Sequence, residues 1–295
     1  MTKLTSRNPS SEVLTTVENK SFGQERALYN SKNVLVSNCT FEGKEDGESA
    51  LKESSQIIVD KCKFDLRYSL WHVTNSQIIN STFTENCRAP LWYDKNLEIL
   101  ETTFNGVKIL RECKNISLKD CKIKSEEPFW KCTSLEVTSS EIEGFYAFFG
   151  CKNLELNDVK FTGKYSFQYV KNLEINNSTL DTKDAFWHAK NVVVINSTIK
   201  GEYLGWYCEN VTFINCTIES HQPLCYAKNI KLIDCKFVNS DLAFEYSSVN
   251  GNVIGKIDSI KNPLKGKLIV DECGELILED SKYKSKAKVI IKKCN

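Results

Sequence analysis

The chain has 295 residues, with 39 lysines and arginines against 38 aspartates and glutamates, a formal net charge of +1. That balance removes the electrostatic drive towards nucleic acid or an anionic membrane, and neither is expected as a partner. No apolar run approaches the ~20 residues that cross a bilayer. The first residues have no apolar core of the kind a secretory signal needs, so the expected location is the cytoplasm.

In chain order, one large apolar residue recurs: Phe22, Phe41, Phe64, Phe83, Phe104, Ile123, Ile142, Phe161, Leu180, Ile199, Ile218 and Phe237. From Phe104 to Phe237 every step is 19 residues; two earlier steps of 23 and 21 place insertions near 42–48 and 84–88. Insertions in a repeat protein fall in loops on one face. Seven and five residues before each reference position are apolar residues such as Leu173 and Ile175, with Glu174 between them. This alternation predicts a half-buried strand in every repeat. No segment carries a helical period, and a unit of 19 is too short for a leucine-rich repeat.

Eight residues before the reference stands asparagine: Asn33, Asn75, Asn96, Asn115, Asn153, Asn172, Asn191, Asn210 and Asn229. Asparagine tolerates left-handed backbone, and its amide can bond a copy one rung away, so a ladder of asparagines is expected at one corner. The fold class this implies is all-β, a right-handed parallel β-helix of about 13 coils. Its expected limits are 17–283, with 1–16 as a tail or cap and 284–295 as a closing strand. The stretch 249–267 breaks the register and reads as irregular. The 13 cysteines fall mostly at two positions of the repeat and read as small buried thiols. No metal spacing is present among them, and no cofactor is expected.

The runs 25–29 (ERALY), 70–72 (LWH), 184–187 (DAFW), 201–206 (GEYLGW), 216–220 (CTIES) and 243–246 (AFEY) resemble a bacterial family. That family is known only as a domain of unknown function with a pectin-lyase-like right-handed β-helix. The resemblance spans roughly residues 17 to 283 and implies the fold and a loose kinship with carbohydrate-active β-helices. It transfers no catalytic residue. The aspartate clusters of polygalacturonases and pectate lyases are not evident here.

All five tryptophans, Trp71, Trp92, Trp130, Trp187 and Trp206, stand twelve residues before a reference position. Lys52, Arg111, Gln168 and Glu245 share their column and would be poor interior residues. The next column carries Glu53, His72, Tyr93, Glu112, His188 and Tyr207. Aromatic rings mixed with acids and bases suit an oligo- or polysaccharide. The alternative is a non-catalytic scaffold that uses this face for protein contact or self-association. Two clusters concentrate ionisable groups. Lys52, Glu53, His72, Arg88, Arg111 and Glu112 suit lyase chemistry, with base and partner from Glu53 and His72 and arginines neutralising a uronate. Asp184 and Glu202, beside Lys183, His188 and Tyr207, suit the carboxyl pair of a retaining glycosidase. His221 stands apart from both.

Overall fold

The computed structural model describes residues 15–43 and 48–292; the expected tail at 1–16 and the first insertion therefore fall largely outside the described residues. The chain divides into two compact units, 1–152 and 153–295. Both are built of strands joined by corners, with no helix among the described residues, and the parallel β-solenoid runs to about 14 turns of about 19 residues.

In the first unit the strands Lys32–Ser37, Ser55–Asp60, Thr74–Ile79, Lys95–Leu100, Lys114–Lys119 and Thr133–Thr138 pair in parallel, each with the next. Shorter strands, from Ser21–Phe22 to Glu141–Phe145, form a second parallel ladder. The in-register stacking brings the reference phenylalanines face to face inside the coil. Phe41 and Phe64 lie 4.8 Å apart, Phe64 and Phe83 4.6 Å, and Phe83 and Phe104 4.6 Å. All four are fully buried. Burying each ring is worth roughly 1.5–3 kcal/mol, and this column holds the coils together.

From Phe161 to Phe237 the second unit repeats the scheme without insertions. Leu173 pairs with Val192, Val192 with Val211 and Val211 with Ile230. The asparagine amides bond in series: Asn172 donates to Asn153 at 2.8 Å, Asn191 to Asn172 at 2.9 Å, Asn210 to Asn191 at 3.1 Å and Asn229 to Asn210 at 2.8 Å. Each of these residues has φ near +57°, the left-handed region that asparagine accepts. A second series, Asn177, Asn196 and Asn215, stands at the next corner. Small polar residues tie the coils there. Ser178 accepts the Val159 N–H at 3.0 Å and donates to the Asn176 carbonyl at 2.7 Å.

One expectation needs correction. The stretch read as irregular contains the thirteen-residue strand Val249–Lys261. Its register against the preceding strand shifts between Leu232 and Cys235, which breaks the nineteen-residue count without breaking the sheet. Gly251 makes the close approach; its φ is +134°, and a Cβ there would stand 1.8 Å from the Leu232 carbonyl oxygen.

The interior of the first unit includes a buried carboxyl, that of Asp94. Asp94 is fully buried, and its Oδ1 accepts the Val73 N–H at 2.8 Å while Oδ2 has no hydrogen-bond partner. Burial pushes this carboxyl well above the ordinary aspartate value. Cys113, Cys132 and Cys151 continue the same file on successive coils, buried and unoxidised.

Candidate functional site

The tryptophan column lies on the outside of the coils, half-buried, and the residues just before it are the buried ones: Leu70, Leu91, Phe129 and Phe186. Every indole N–H donates to a backbone carbonyl one coil on. Trp71 reaches Ala89, Trp92 reaches Lys108 and Trp130 reaches Tyr146, each at 2.7 Å; Trp187 reaches Tyr203 and Trp206 reaches Gln222, each at 2.8 Å. All five acceptors have left-handed backbone, with φ between 48° and 59°. Gln168 occupies the same column and reaches the same kind of carbonyl, that of Asp184, at 3.4 Å. At these six rungs the column's side chain caps a left-handed corner, a role the indole N–H fills at all five tryptophans.

In the first unit the faces of these rings are filled by one another and by cations. Trp71 and Trp92 stack at 5.2 Å with planes 3° apart. The Lys52 ammonium lies 5.6 Å from the Trp71 ring. The Arg111 guanidinium is held between Trp92, at 4.7 Å, and Trp130, at 4.6 Å, and its terminal nitrogen bonds Glu127 at 3.2 Å. Arg111 is thus committed to neighbours on three sides. His72 stacks on Tyr93 at 5.1 Å. Glu53 sits one coil from His72, exposed, its N–H donating to the Trp71 carbonyl. No side-chain hydrogen bond joins Glu53 to His72 among the described residues. Glu112 and Arg88 are exposed. The sequence cluster is brought to one face, but its best-placed cation is built into the wall.

The second unit differs. Trp187 and Trp206 stack at 5.5 Å, 5° apart. Beside them runs a continuous stack of four rings. Tyr169 to His188 is 4.9 Å, His188 to Tyr207 5.1 Å and Tyr207 to Tyr226 5.0 Å, with planes within 14°. Tyr169 and Tyr207 are 49% and 47% exposed, so with their faces stacked they offer edges and hydroxyls to solvent. Tyr226 Oη donates to Glu245 at 3.4 Å, and Glu245 is paired with Lys261 at 3.2 Å.

At the margin of this stack stand Lys183, Glu202, His221 and Asp241 on successive coils. Lys183 bonds Glu202 at 2.6 Å, and His221 Nδ1 lies 2.7 Å from Asp241 Oδ1. Tyr203 links this file to the rings: it lies 5.2 Å from the Lys183 ammonium, 5.6 Å from His221 and 5.3 Å from Trp206. Asp184 is buried, and its N–H donates to the Glu202 carbonyl. Burial pushes the Asp184 carboxyl up, with Glu202 adding to the rise and Lys183 opposing it. The bond and charge of Lys183 hold Glu202 below its ordinary value. In the sequence His221 stands apart from both clusters as an isolated structural or surface residue. Counting forward from Lys183 and Glu202 by 19 lands on it.

A parallel β-solenoid with an outward aromatic column is the class of protein that fold and surface define. Within that class, the chain belongs to the family described as "Protein of unknown function (DUF3737)", whose model matches residues 15–292. No curated protein matches it in sequence. Among solved structures it is similar to tailspike protein 3 of bacteriophage CBA120, at 10% identity and a TM-score of 0.36 over 94% of this chain. It spans 56% of that tailspike's length. It is also similar to the tailspike of E. coli bacteriophage HK620 in complex with hexasaccharide, at 9% identity and TM-score 0.38, covering 96% of this chain and 72% of that one. A third is the A-module of the Azotobacter vinelandii mannuronan C-5 epimerase AlgE4, at 9% identity and TM-score 0.34, covering 93% and 86%.

Proposed function

We propose that this protein binds an oligosaccharide along the aromatic face of its second unit. The observation that carries the reading is the exposed ring stack Tyr169–His188–Tyr207–Tyr226 backed by Trp187 and Trp206. Stacked rings hide their faces, so the contact offered to a sugar is a row of ring edges, phenolic hydroxyls and an imidazole, spaced one coil apart. Asp184 and Glu202 lie at the margin of the row, the first raised by burial and the second lowered by its bond to Lys183. In this reading they are the pair that would attend a glycosidic bond. The first-unit group of Glu53, His72 and Glu112 ranks second, because Arg111 is spent on Trp92, Trp130 and Glu127.

The test is a titration of neutral and acidic oligosaccharides against tryptophan fluorescence. A saturable change that is weakened by Tyr207→Ala is expected. Silence across the whole panel removes the reading. Light scattering that instead shows a concentration-dependent dimer, abolished by Trp187→Ala with Trp206→Ala, assigns the face to self-association.

A further inference from the structure

Two residues beyond each ring of the second unit's stack, the chain carries a charged position. The triplets are Tyr169-Val170-Lys171, His188-Ala189-Lys190, Tyr207-Cys208-Glu209 and Tyr226-Ala227-Lys228. The middle residue is buried in all four, so the ring and the charge flank it on the outside. Strand pairing puts Lys171 against Lys190, Lys190 against Glu209 and Glu209 against Lys228. The result is a file of three lysines and one glutamate running beside the rings. Lys171, Lys190 and Lys228 are exposed, and Glu209 is bonded to Lys190 at 2.9 Å. On the far side of the rings Lys164 and Lys183 stand against Glu202 and Asp241, which balance. The surplus of positive charge therefore lies on the lysine side.

Resting on the oligosaccharide reading, we propose that the ligand is a linear acidic glycan lying lengthwise beside the rings. It sets about one sugar per coil, with its acid groups towards Lys171, Lys190 and Lys228. The repeat supports this. The rings recur every 4.9 to 5.1 Å, and an equatorially linked pyranose advances its chain by about the same distance. Successive sugars then meet equivalent side chains, a hydroxyl row on one edge and a cationic row on the other. Carboxylated and sulfated glycans share this chemistry. A single-stranded nucleic acid, the other linear polyanion of comparable repeat, is disfavoured: its bases need open aromatic faces, and here each inner ring has a neighbour on both sides.

Glu209 supplies the decisive test, because it opposes the proposed ligand while belonging to the same file. Titrations should use tetramers of a neutral, a carboxylated and a sulfated sugar, and an oligonucleotide of equal charge. An acidic tetramer is expected to bind more tightly than the neutral one, and to weaken as salt is raised. Lys190→Gln should weaken it about twofold to fivefold. Glu209→Gln should tighten it by a similar factor, an outcome that damage to the fold does not produce. Preference for carboxylate or sulfate identifies the source of the charge. Equal affinity for neutral and acidic tetramers, or weaker binding by Glu209→Gln, overturns the acidic assignment and leaves the oligosaccharide reading standing. Tighter binding of the oligonucleotide overturns both, as does a complete lack of response.

Discussion

The two units build the same column from different partners. In the first, Lys52 and Arg111 are intercalated among Trp71, Trp92 and Trp130, so cations fill the ring faces from within the chain. In the second, Trp187 and Trp206 pair with each other and the neighbouring stack of tyrosines and histidine stays 47–49% exposed at Tyr207 and Tyr169. A repeat fixes where side chains stand; the residues at each rung decide whether the wall is closed or open. The first unit has used its cation–π capacity for its own stability, and the second retains its polar edges for something else.

The largest expected effect that tests this contrast is Arg111→Ala. It removes a guanidinium packed between two indoles and leaves Glu127 with fewer partners. A loss of about 2–3 kcal/mol is expected in urea unfolding. Gln168→Ala, the equivalent change in the second unit, loses one bond to a carbonyl and should cost about 0.5–1 kcal/mol. Equal costs would abolish the distinction between closed and open walls.

Next in size is Asn191→Ala, which loses the bond it donates to Asn172 and the one it accepts from Asn210. It should cost about 1–2 kcal/mol by thermal unfolding, more than Asn229→Ala, for which only a donated bond is at stake.

Asp94→Asn sharpens the comparison from the first unit's interior. The folded chain holds the Asp94 proton more tightly than the unfolded chain does, because burial raises its pKa. Native stability from this group is therefore complete at acid pH and falls as pH rises above the unfolded value of about 3.8. The asparagine cannot ionise, so its stability relative to the native chain should climb with pH and lose that advantage towards pH 4. Parallel curves for the two proteins would contradict the burial argument.

The smallest effect is expected for His221→Ala. Its bond to Asp241 is exposed on both sides and should be worth no more than about 0.5 kcal/mol in stability. A measurable loss of glycan affinity without loss of stability would place it in the ligand's path.

The period, the strand positions and the left-handed asparagines were legible because they depend on residue type at a fixed spacing. Leu173, Ile175 and Phe161 are buried where alternation puts them. Four things were not legible. Large apolar residues also take left-handed corners, Phe186 at φ 61° and Leu224 at φ 56°, because the interior they fill outweighs the local strain. The indole N–H bonds depend on which way a side chain turns at a corner, and a spacing count does not contain that angle. The Arg111 sandwich needed the tilt of two rings as well as their column. The strand at Val249–Lys261 was lost for a different reason, since a register shift defeats counting even where pairing continues.

The uniform register from Phe161 to Phe237 carries an evolutionary corollary. Each lap from Phe161 to Phe237 meets its neighbours through equivalent positions, so one lap is interchangeable with another as a packing unit. Cutting out a single lap, or copying one in, would leave every remaining contact between neighbours of the same kind while shortening or lengthening the exposed rack by one rung. Relatives that differ by multiples of one lap would thus change the length of the rack without changing how neighbouring laps pack.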